Sequence, residues 1–366
     1  MRLESAFRHG YSRGAVTPTE TKRPDADLPL PPLEIAGRAG ALDRADPHGD
    51  YERIGRLCRN AIVSRLPPGW SWKGRSALDF GCGAGRVLRH FAPEADLCEF
   101  HGCDIDEPAT AWARKHLAPP FKLFRSRETP PLERPNAAFD LVWATSVFTH
   151  LHETWSRWML ELHRLLRPGG ILMASYLGER QHWILGERWD DERIGMNVIH
   201  AGLEWDCGGP VVFHSEWWLR AHWGRAFEIV SIEEDGLENQ GLVVMRRRDV
   251  TLTPEELDRA EPDEPRELSA AIHQGRQLYT EAAAQRRIAR DMTRRVGELA
   301  LPADSTRGEL QDARKQLAAL EREYARVTQS RSWRMTAPLR HAGSVVRRLR
   351  ARRPPTWGAF ERRTGS

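Results

Sequence analysis

Three glycines at alternate positions follow a short apolar run, and their spacing is the clearest chemical signal in the chain. The run ends at Phe80, and Gly81, Gly83 and Gly85 come directly after it. Glycine adopts positive φ and carries no side chain, so such a turn lets a bound ligand approach the backbone. A helix after the turn would offer unpaired N–H groups and its positive dipole end to an anion. The pattern therefore predicts a cofactor-binding loop.

The spacing of these glycines argues against two common nucleotide-binding loops. A dinucleotide-binding loop has the pattern G-x-G-x-x-G, whereas here the third glycine comes one residue early and Arg86 fills the later position. A P-loop requires Gly-Lys followed by Ser or Thr, and no such sequence follows Gly85. The loop matches neither pattern.

An acidic residue ends the second predicted strand. The segment 100–103 leads into Asp104, Ile105 and Asp106. A carboxylate at this place can accept hydrogen bonds from both ribose hydroxyls of a bound nucleoside. Asp104 is the first candidate and Asp106 the second, because strand ends inferred from sequence shift by a few residues.

Two further segments complete a pattern that resembles the class I S-adenosylmethionine-dependent methyltransferases. Residues 139–144 have the composition of a buried strand, and residues 166–170 that of a helix end leading into the strand 171–176. The four motifs occur in the order and spacing of that family. The resemblance covers about residues 51–250.

The resemblance implies an α/β fold with a doubly wound, Rossmann-like sheet of seven strands. Residues 227–233 and 241–247 would close the sheet as an antiparallel pair, as the family's sheets end. A helical, coiled-coil extension would follow. The predicted segments are a flexible arm (1–50), the methyltransferase domain (51–250), a linker (251–267), a helical or coiled-coil segment (268–330) and a basic amphipathic tail (331–366).

The resemblance also implies the cofactor, S-adenosylmethionine, and the residues that hold it. Asp79 and the glycine loop would surround the methionine part, Asp104 would hold the ribose, and Glu128 is the candidate for the adenine amine. Tyr51 or Arg53, in a preceding helix, would either touch the cofactor or only pack. The residues assigned to the cofactor are Asp79, Gly81, Cys82, Gly83, Gly85, Asp104, Ile105, Glu128 and Ser146.

A hydroxyl acceptor needs a general base, since its own pKa lies far above neutral. His150 follows the fourth strand at the mouth of the predicted site and is the first candidate for this base; the alternative is a packing role. His152, His200 and His214 are the next candidates. No acidic cluster has the spacing of metal ligands, so no metal is predicted.

Composition favours a soluble intracellular enzyme with added segments. The chain has 366 residues, of which 40% are hydrophobic, and five scattered cysteines that match neither a zinc site nor a disulfide framework. Such cysteines are typical of a reducing compartment. No apolar run has the length of a signal peptide core or a membrane span, so a cytoplasmic location is predicted.

The last hundred residues indicate what the enzyme associates with rather than which reaction it catalyses. Apolar residues spaced by three and four indicate a short coiled coil, either between two copies as a homodimer or against the chain's own domain. They are Leu310, Ala313, Leu317, Leu320, Tyr324 and Val327.

From Arg331 to Arg353 the chain carries arginines and no acidic residue. This tail resembles one that follows coiled coils in bacterial glycosyltransferases and methyltransferases of surface-polysaccharide assembly. A basic amphipathic segment can lie on an anionic inner-membrane surface, gaining about 1 kcal/mol per basic residue. Glycosyltransferases are the other expected partners, and a solvated tail is the alternative. Nucleic acid is not expected, because no nucleic-acid module accompanies the arginines.

Tryptophans in residues 178–214, where the family places its acceptor-binding insertions, suit sugar rings or flat aromatic acceptors. The sequence therefore predicts a methyltransferase that O-methylates a sugar hydroxyl in polysaccharide or lipid-linked glycan biosynthesis. The alternatives are O- or N-methylation of a small metabolite, and a non-catalytic cofactor-binding scaffold that recruits glycosyltransferases.

Overall fold

The computed structural model describes residues 28–300, except residues 41, 202–204, 206–208 and 238. In this part of the chain the helices are α1 (Leu33–Ala36), α2 (Pro47–Ser64), α3 (Glu107–His116), α4 (Trp155–Leu165), α5 (His182–Leu185), α6 (Glu216–Ala226), α7 (Pro254–Asp258) and α8 (Arg266–Ala300). Short 3-10 helices are Gly37–Ala39, Leu88–Glu94 and Glu179–Gln181.

The strands form one large sheet and one small ribbon. They are β1 (Arg75–Phe80), β2 (Cys98–Asp104), β3 (Lys122–Arg125), β4 (Phe139–Ala144), β5 (Leu166–Tyr176), β6 (Met196–Ile199), β7 (Val211–His214), β8 (Phe227–Leu237) and β9 (Gln240–Arg247). The large sheet has the order β3-β2-β1-β4-β5-β9-β8, and β6 pairs with β7. Strands β1 to β5 are parallel, while β9 is antiparallel to both β5 and β8. The predicted doubly wound seven-stranded sheet is confirmed.

Apolar side chains cover both faces of the central strands, as parallel sheets between two helix layers require. In β4, Val142 packs into the same cluster as Trp155 of α4, and its neighbours Leu141 and Trp143 point into the opposite cluster. There Trp143 stacks on Phe91, with ring centroids 4.8 Å apart. The two clusters hold the carboxyl ends of β1, β2 and β4 at one edge, where the parallel strands expose their loops.

The arm predicted over residues 1–50 is packed against the domain from residue 28 onward. The buried Arg89 donates from Nη1 to the carbonyl of Pro29 at 3.0 Å. Helix α2 begins at Pro47, inside the segment predicted as the arm, and the carboxylate of Asp46 caps it by accepting from the Gly49 N–H at 2.9 Å. Residues 1–27 lie outside the described part of the chain.

The segment predicted as a linker, 251–267, is part of the folded domain. Thr253 and Glu256 form a capping box that starts α7, and Leu257 is fully buried. Its carbonyl lies 3.1 Å from Nδ1 of His222 in α6. The prolines and acids of this segment suggested a loop, whereas the buried leucine ties it to the core.

Helix α8 packs at its beginning against the β6–β7 ribbon. Gln274 accepts from the Val198 N–H at 3.2 Å, and Gln277 accepts from the Asn197 side chain at 2.8 Å. The heptad positions 310–327 and the basic tail lie outside the described residues. Within the described ranges, no helix combines the length and hydropathy needed to cross a membrane.

His214, at the end of β7, is a buried histidine in an aromatic surrounding. Its ring centroid lies 5.1 Å from that of Trp218 and 5.3 Å from that of Trp223. Neither ring nitrogen has a hydrogen-bond partner among the described residues. Burial and, after it, the neighbouring His222 lower the pKa of His214 to about 3. The folded protein therefore holds this imidazole neutral.

We expect His214 to make the fold less stable below about pH 6.5, the usual histidine pKa. The unfolded chain takes up this proton first, so the free energy of unfolding falls as the pH drops towards the folded pKa of about 3. His214→Phe fills the same site with a ring that does not titrate. Between about pH 6.5 and pH 5, the free energy of unfolding of this variant should fall by about 1.5 kcal/mol less than that of the wild type. Urea unfolding at both pH values measures this difference; equal losses would contradict it.

Candidate cofactor and methyl-transfer site

The glycine loop follows β1 at the centre of the sheet, and all three glycines have positive φ: +82° at Gly81, +53° at Gly83 and +80° at Gly85. A Cβ added at Gly81 would lie 2.2 Å from Val147 Cγ2, and one at Gly85 would lie 2.4 Å from Leu117 Cδ1. A Cβ at Gly83 would meet no atom within 4 Å. Gly81 and Gly85 therefore permit close packing, while Gly83 faces open space that a ligand can fill.

The helix predicted after this loop is a seven-residue 3-10 helix, Leu88–Glu94. Pro93 lies inside it and has no N–H to donate, which prevents a regular α-helix here. A short helix of this kind has poor hydrogen-bond geometry and a small dipole. An anionic ligand group at this end of the loop therefore needs a further positive partner.

Arg86 can supply that positive charge. Its guanidinium has no hydrogen bond or ion pair within the described ranges. Its positive charge acts on Asp79 and Tyr51 and opposes the rise that burial causes in the pKa of each. Helix α2 presses on the same turn, since a Cβ at Gly55 would lie 2.0 Å from the Arg86 carbonyl oxygen. A carboxylate bound beside Gly83 would find this arginine at hand.

Two buried polar atoms at this end of the loop are left without partners. Oδ2 of Asp79 and the hydroxyl of Tyr51 have no hydrogen bond among the described residues, and both side chains are buried. Burial and, after it, the nearby Asp104 raise the pKa of Asp79 to about 7. The Trp143 indole acts on the Asp79 carboxylate as a hydrogen-bond donor and opposes this rise, and its Nε1 is itself without a partner among the described residues. Unpaired buried atoms are costly, so Asp79 and Tyr51 are candidates for binding a polar ligand. Arg53, by contrast, pairs with Asp50 on the exposed face of α2.

The two candidates for the ribose carboxylate have different surroundings. Asp104 accepts from the Gly83 N–H at 2.7 Å and from the Asp106 N–H at 2.8 Å, so it lies directly beside the loop. Asp106 caps α3 by accepting from the Ala109 N–H at 3.3 Å, and it forms an ion pair with Arg38. The geometry favours Asp104 as the ligand-binding acid and gives Asp106 a structural role.

A cavity of about 570 Å³ continues from Asp104 along the ends of β2 and β3. Ser126 lines the cavity and links it to Asp104, because the Ser126 N–H donates to the Asp104 carbonyl at 2.9 Å. Ile105 and Glu128, both assigned to the cofactor from the sequence, line this cavity. Trp205 of the insertion closes one side, with the guanidinium of Arg38 over its ring, 5.6 Å from the centroid. The cavity suits a flat heterocycle linked to the ribose.

Cys82, also assigned to the cofactor, is fully engaged within the protein. Its N–H donates to the Cys103 carbonyl at 3.0 Å, its carbonyl accepts from the Gly85 N–H at 2.8 Å, and its side chain is buried. A Cβ added at Gly102 would come within 3.0 Å of its sulfur. Cys82 therefore shapes the loop and offers no group of its own to a ligand.

Ser146 lies on the loop after β4 and has an unusual backbone conformation, with φ of +59°. Its N–H donates to the Ser175 hydroxyl at 2.7 Å, and its hydroxyl accepts from the side-chain amide of Gln240 at 2.8 Å. Strained residues held by such networks are common at functional sites. Ser175 and Gln240 were not found from the sequence, since β5 and β9 bring them here from distant segments.

His150 lies farther along the same loop and is exposed. Its Nδ1 is 2.6 Å from the Pro210 carbonyl oxygen. A carbonyl can only accept, so Nδ1 carries the proton and Nε2 of the neutral ring is left as an acceptor. That tautomer is the one a general base requires. His200 and His214 are each 1% exposed, so neither is open to an acceptor.

The described residues contain no group of three or more histidine, cysteine, aspartate or glutamate side chains placed to hold a metal ion. The structure instead brings Asp79, Gly83 and Asp104 together beside the loop, with Ile105 and Glu128 in the adjoining cavity. Arg86 and Tyr51 lie near Asp79 at the same end of the loop. The only sequence signal for Arg86 was its place in the slot where a dinucleotide-binding loop has its last glycine.

Comparison with known proteins agrees with this geometry. Residues 78–172 match the family described as "Methyltransferase domain". A malonyl-[acyl-carrier protein] O-methyltransferase of Enterobacter lignolyticus is 30% identical over 161 residues, which are 44% of this chain and 61% of that protein. A sterol 24-C-methyltransferase of Debaryomyces hansenii is 26% identical over 164 residues, 42% of this chain and 39% of that protein. The chain thus spans about four to six tenths of the length of these curated relatives.

Among solved structures, the chain matches an S-adenosylmethionine dependent methyltransferase from Mesorhizobium loti. It is 19% identical, with a TM-score of 0.40, over 51% of this chain and 96% of that chain. The matched residues 78–172 include the end of β1, the glycine loop, Asp104 and β4, which belong to the site described above. Residues 78–172 are therefore similar to a methyltransferase domain, and they carry the glycine loop and Asp104.

Proposed function

We propose that this chain transfers the methyl group of S-adenosylmethionine to an oxygen of a small polar acceptor, with a sugar hydroxyl as the preferred acceptor. The observation that carries the proposal is the set of unpaired buried atoms, Asp79 Oδ2 and the Tyr51 hydroxyl, beside the open space over Gly83. An amino acid moiety of the cofactor supplies an ammonium and a carboxylate, which are the partners these groups lack.

The chain's own residues would divide the work of binding. Asp79 would accept from the ammonium, Arg86 and Tyr51 would bind the carboxylate, and Asp104 would accept from the ribose hydroxyls. The cofactor supplies a methyl group already activated by the sulfonium, so alignment and exclusion of water provide most of the acceleration. The protein's remaining task is to hold an acceptor oxygen in line with that methyl group.

The acceptor side favours a polar ring. Trp183 of the insertion leaves 40% of its surface exposed, and an exposed indole can stack on a sugar ring. His150 offers an unprotonated Nε2 on the adjoining loop, which a hydroxyl acceptor requires. Together these features support O-methylation of a hydroxyl on a glycan precursor.

A second candidate function is O-methylation of a small carboxylate metabolite. One of the relatives named above is an O-methyltransferase of malonyl-[acyl-carrier protein]. A carboxylate is ionised at neutral pH and needs no base, so an exposed histidine would then be dispensable. Incubating the chain with methyl-labelled cofactor and either a panel of nucleotide sugars or malonyl thioesters tests both functions. Cofactor binding without label transfer to either panel would favour a non-catalytic scaffold.

Replacing the two neighbouring acids should separate binding from folding. Asp104→Ala should weaken binding of S-adenosylhomocysteine by about 1 to 3 kcal/mol, the size of a charge-assisted hydrogen bond. Asp106→Asn should leave that affinity within about twofold and lower stability instead, because it weakens the cap of α3. Calorimetric titration and thermal unfolding of both variants measure the two effects. The reverse pattern would assign the ribose to Asp106.

Cofactor affinity should rise with pH around the pKa of Asp79, about 7. The ammonium binds the carboxylate form only, so protonation at low pH competes with binding. The dissociation constant of S-adenosylhomocysteine should be about five- to tenfold higher at about pH 6 than at pH 7.5. Asp79→Asn should bind more weakly and without this pH dependence. An equal pH profile in both proteins would show that another group titrates.

His150→Ala tests the base. With a hydroxyl acceptor, kcat should fall about a hundredfold or more while cofactor affinity stays nearly unchanged. With a carboxylate acceptor, kcat should change little. Unfolding of the same preparation by urea shows whether any loss reflects stability, which is what a packing role predicts.

A further inference from the structure

The loop after β4 connects the cofactor side of the site with the acceptor side, and Ser146 lies near its beginning. The next residue, Val147, packs on the glycine loop, since a Cβ added at Gly81 would lie 2.2 Å from Val147 Cγ2. The Val147 carbonyl also accepts from the His150 N–H at 2.9 Å, which closes the turn that carries the candidate base. A shift of Ser146 would therefore move a contact of the glycine loop and the backbone of His150 together.

The backbone of Ser146 has a conformation that serine adopts only at a cost. Its φ is +59°, in the left-handed region, where a side chain crowds the backbone and glycine is favoured. The local sequence Thr145-Ser146-Val147 contains no glycine, asparagine or aspartate, the residues that adopt this φ most readily. The conformation of Ser146 therefore depends on contacts from outside the loop.

Two distant residues supply those contacts. The Ser146 N–H donates to the Ser175 hydroxyl at 2.7 Å, and Nε2 of Gln240 donates to the Ser146 hydroxyl oxygen at 2.8 Å. Ser175 is fully buried near the end of β5, and Gln240 begins β9. These strands are neighbours: Tyr176, which follows Ser175, pairs with Gly241, which follows Gln240. The end of this antiparallel ladder thus places both partners next to Ser146.

The beginning of β9 is fixed by close packing. A Cβ added at Gly241 would lie 2.2 Å from Cε1 of Tyr176, so the absence of a side chain at Gly241 lets β9 lie this near the tyrosine ring. Tyr176 is buried and belongs to the largest core cluster. Gln240, the residue before Gly241, is therefore attached to a rigid part of the sheet.

The amide of Gln240 lies at this place although one of its atoms has no partner. Its Oε1 is buried and accepts no hydrogen bond from the described residues. An unpaired buried oxygen lowers stability, and a leucine of similar size would avoid that cost. The left-handed φ of Ser146 and the unpaired oxygen of Gln240 thus place two costs in one contact. Such costs are typical of functional sites.

We propose that Gln240 is a positioning residue of the methyl-transfer site: its hydrogen bond holds Ser146 in the left-handed conformation and so places the loop that packs on Gly81 and carries His150. In this role the Ser146 hydroxyl serves the loop and not the ligand. The part that concerns His150 rests on the proposed function, whereas the part that concerns Gly81 requires only that the chain binds its cofactor.

Substitutions at both ends of the hydrogen bond test this role, with S-adenosylhomocysteine as the probe. Gln240→Leu and Ser146→Ala each remove the bond and should raise the dissociation constant about three- to tenfold, the effect of one hydrogen bond. Ser146→Gly also removes it, but glycine adopts this φ without support, so the affinity should stay within about twofold of the wild type. For the same reason Gln240→Leu should have little further effect in the Ser146→Gly protein. Calorimetric titration measures these affinities.

The comparison of alanine with glycine separates positioning from direct contact. An equal loss of affinity in Ser146→Ala and Ser146→Gly would show that the hydroxyl itself binds the cofactor. Unchanged affinity in Gln240→Leu would show that the turn needs no support. Either result would overturn the proposal.

The matched control is Gln274→Leu. Gln274 also has one bonded amide atom and one unpaired buried one, Nε2, but it lies on α8 against the β6–β7 ribbon. This variant should bind S-adenosylhomocysteine within about twofold of the wild type, because the ribbon contact does not hold Ser146. A loss as large as that in Gln240→Leu would assign the effect to general loosening of the fold and would also overturn the proposal.

Hydrogen exchange at the His150 amide tests the other end of the loop. This N–H, which donates to the Val147 carbonyl, should exchange several-fold faster in Gln240→Leu and Ser146→Ala than in the wild type and should stay slow in Ser146→Gly. Equal exchange in all four proteins would contradict a role of Gln240 in placing the base. If these differences appear but no hydroxyl acceptor is methylated, the proposed function fails and the positioning role of Gln240 stands.

Discussion

The hydrogen bonds that join the glycine loop to the end of β2 determine the geometry of the whole site. The N–H groups of Gly81 and Cys82 both donate to the Cys103 carbonyl, at 2.8 and 3.0 Å. These two bonds turn the loop over the end of β2. The carboxylate of Asp104, the residue after Cys103, can then accept from the Gly83 N–H. Parallel pairing of β1 with β2 and β4 fixes the height of this turn in the sheet. Every later feature of the cofactor site is placed relative to these bonds.

Two buried polar groups near that turn have no hydrogen-bond partner among the described residues, and the proposed cofactor site is built on them. Buried donors and acceptors are nearly always satisfied in folded proteins. Asp79 and Tyr51 are exceptions at the loop among the described residues. A bound cofactor restores the missing interactions, so it should stabilise the fold as well as take part in chemistry.

The sequence was informative wherever function depends on local spacing. Gly83 and Asp104 were identified from a few residues each, and the structure places them in contact. Tyr51 was named with a packing role as its alternative, and Arg86 was not assigned to a ligand, because the contact of α2 with the loop joins segments some thirty residues apart. The segment around Leu257 was misjudged for the same reason: proline and acids describe its local character, while its burial depends on the distant α6.

The contacts of α8 have a consequence for where the catalytic unit ends. Its side chains Gln274 and Gln277 hydrogen-bond to the β6–β7 ribbon, and Glu267 lies 2.7 Å from Nε2 of His222 in α6. A boundary drawn after the last strand of the sheet would cut these bonds and leave the ribbon's amides exposed. The smallest fragment that keeps these hydrogen bonds therefore extends at least through Gln277 of α8.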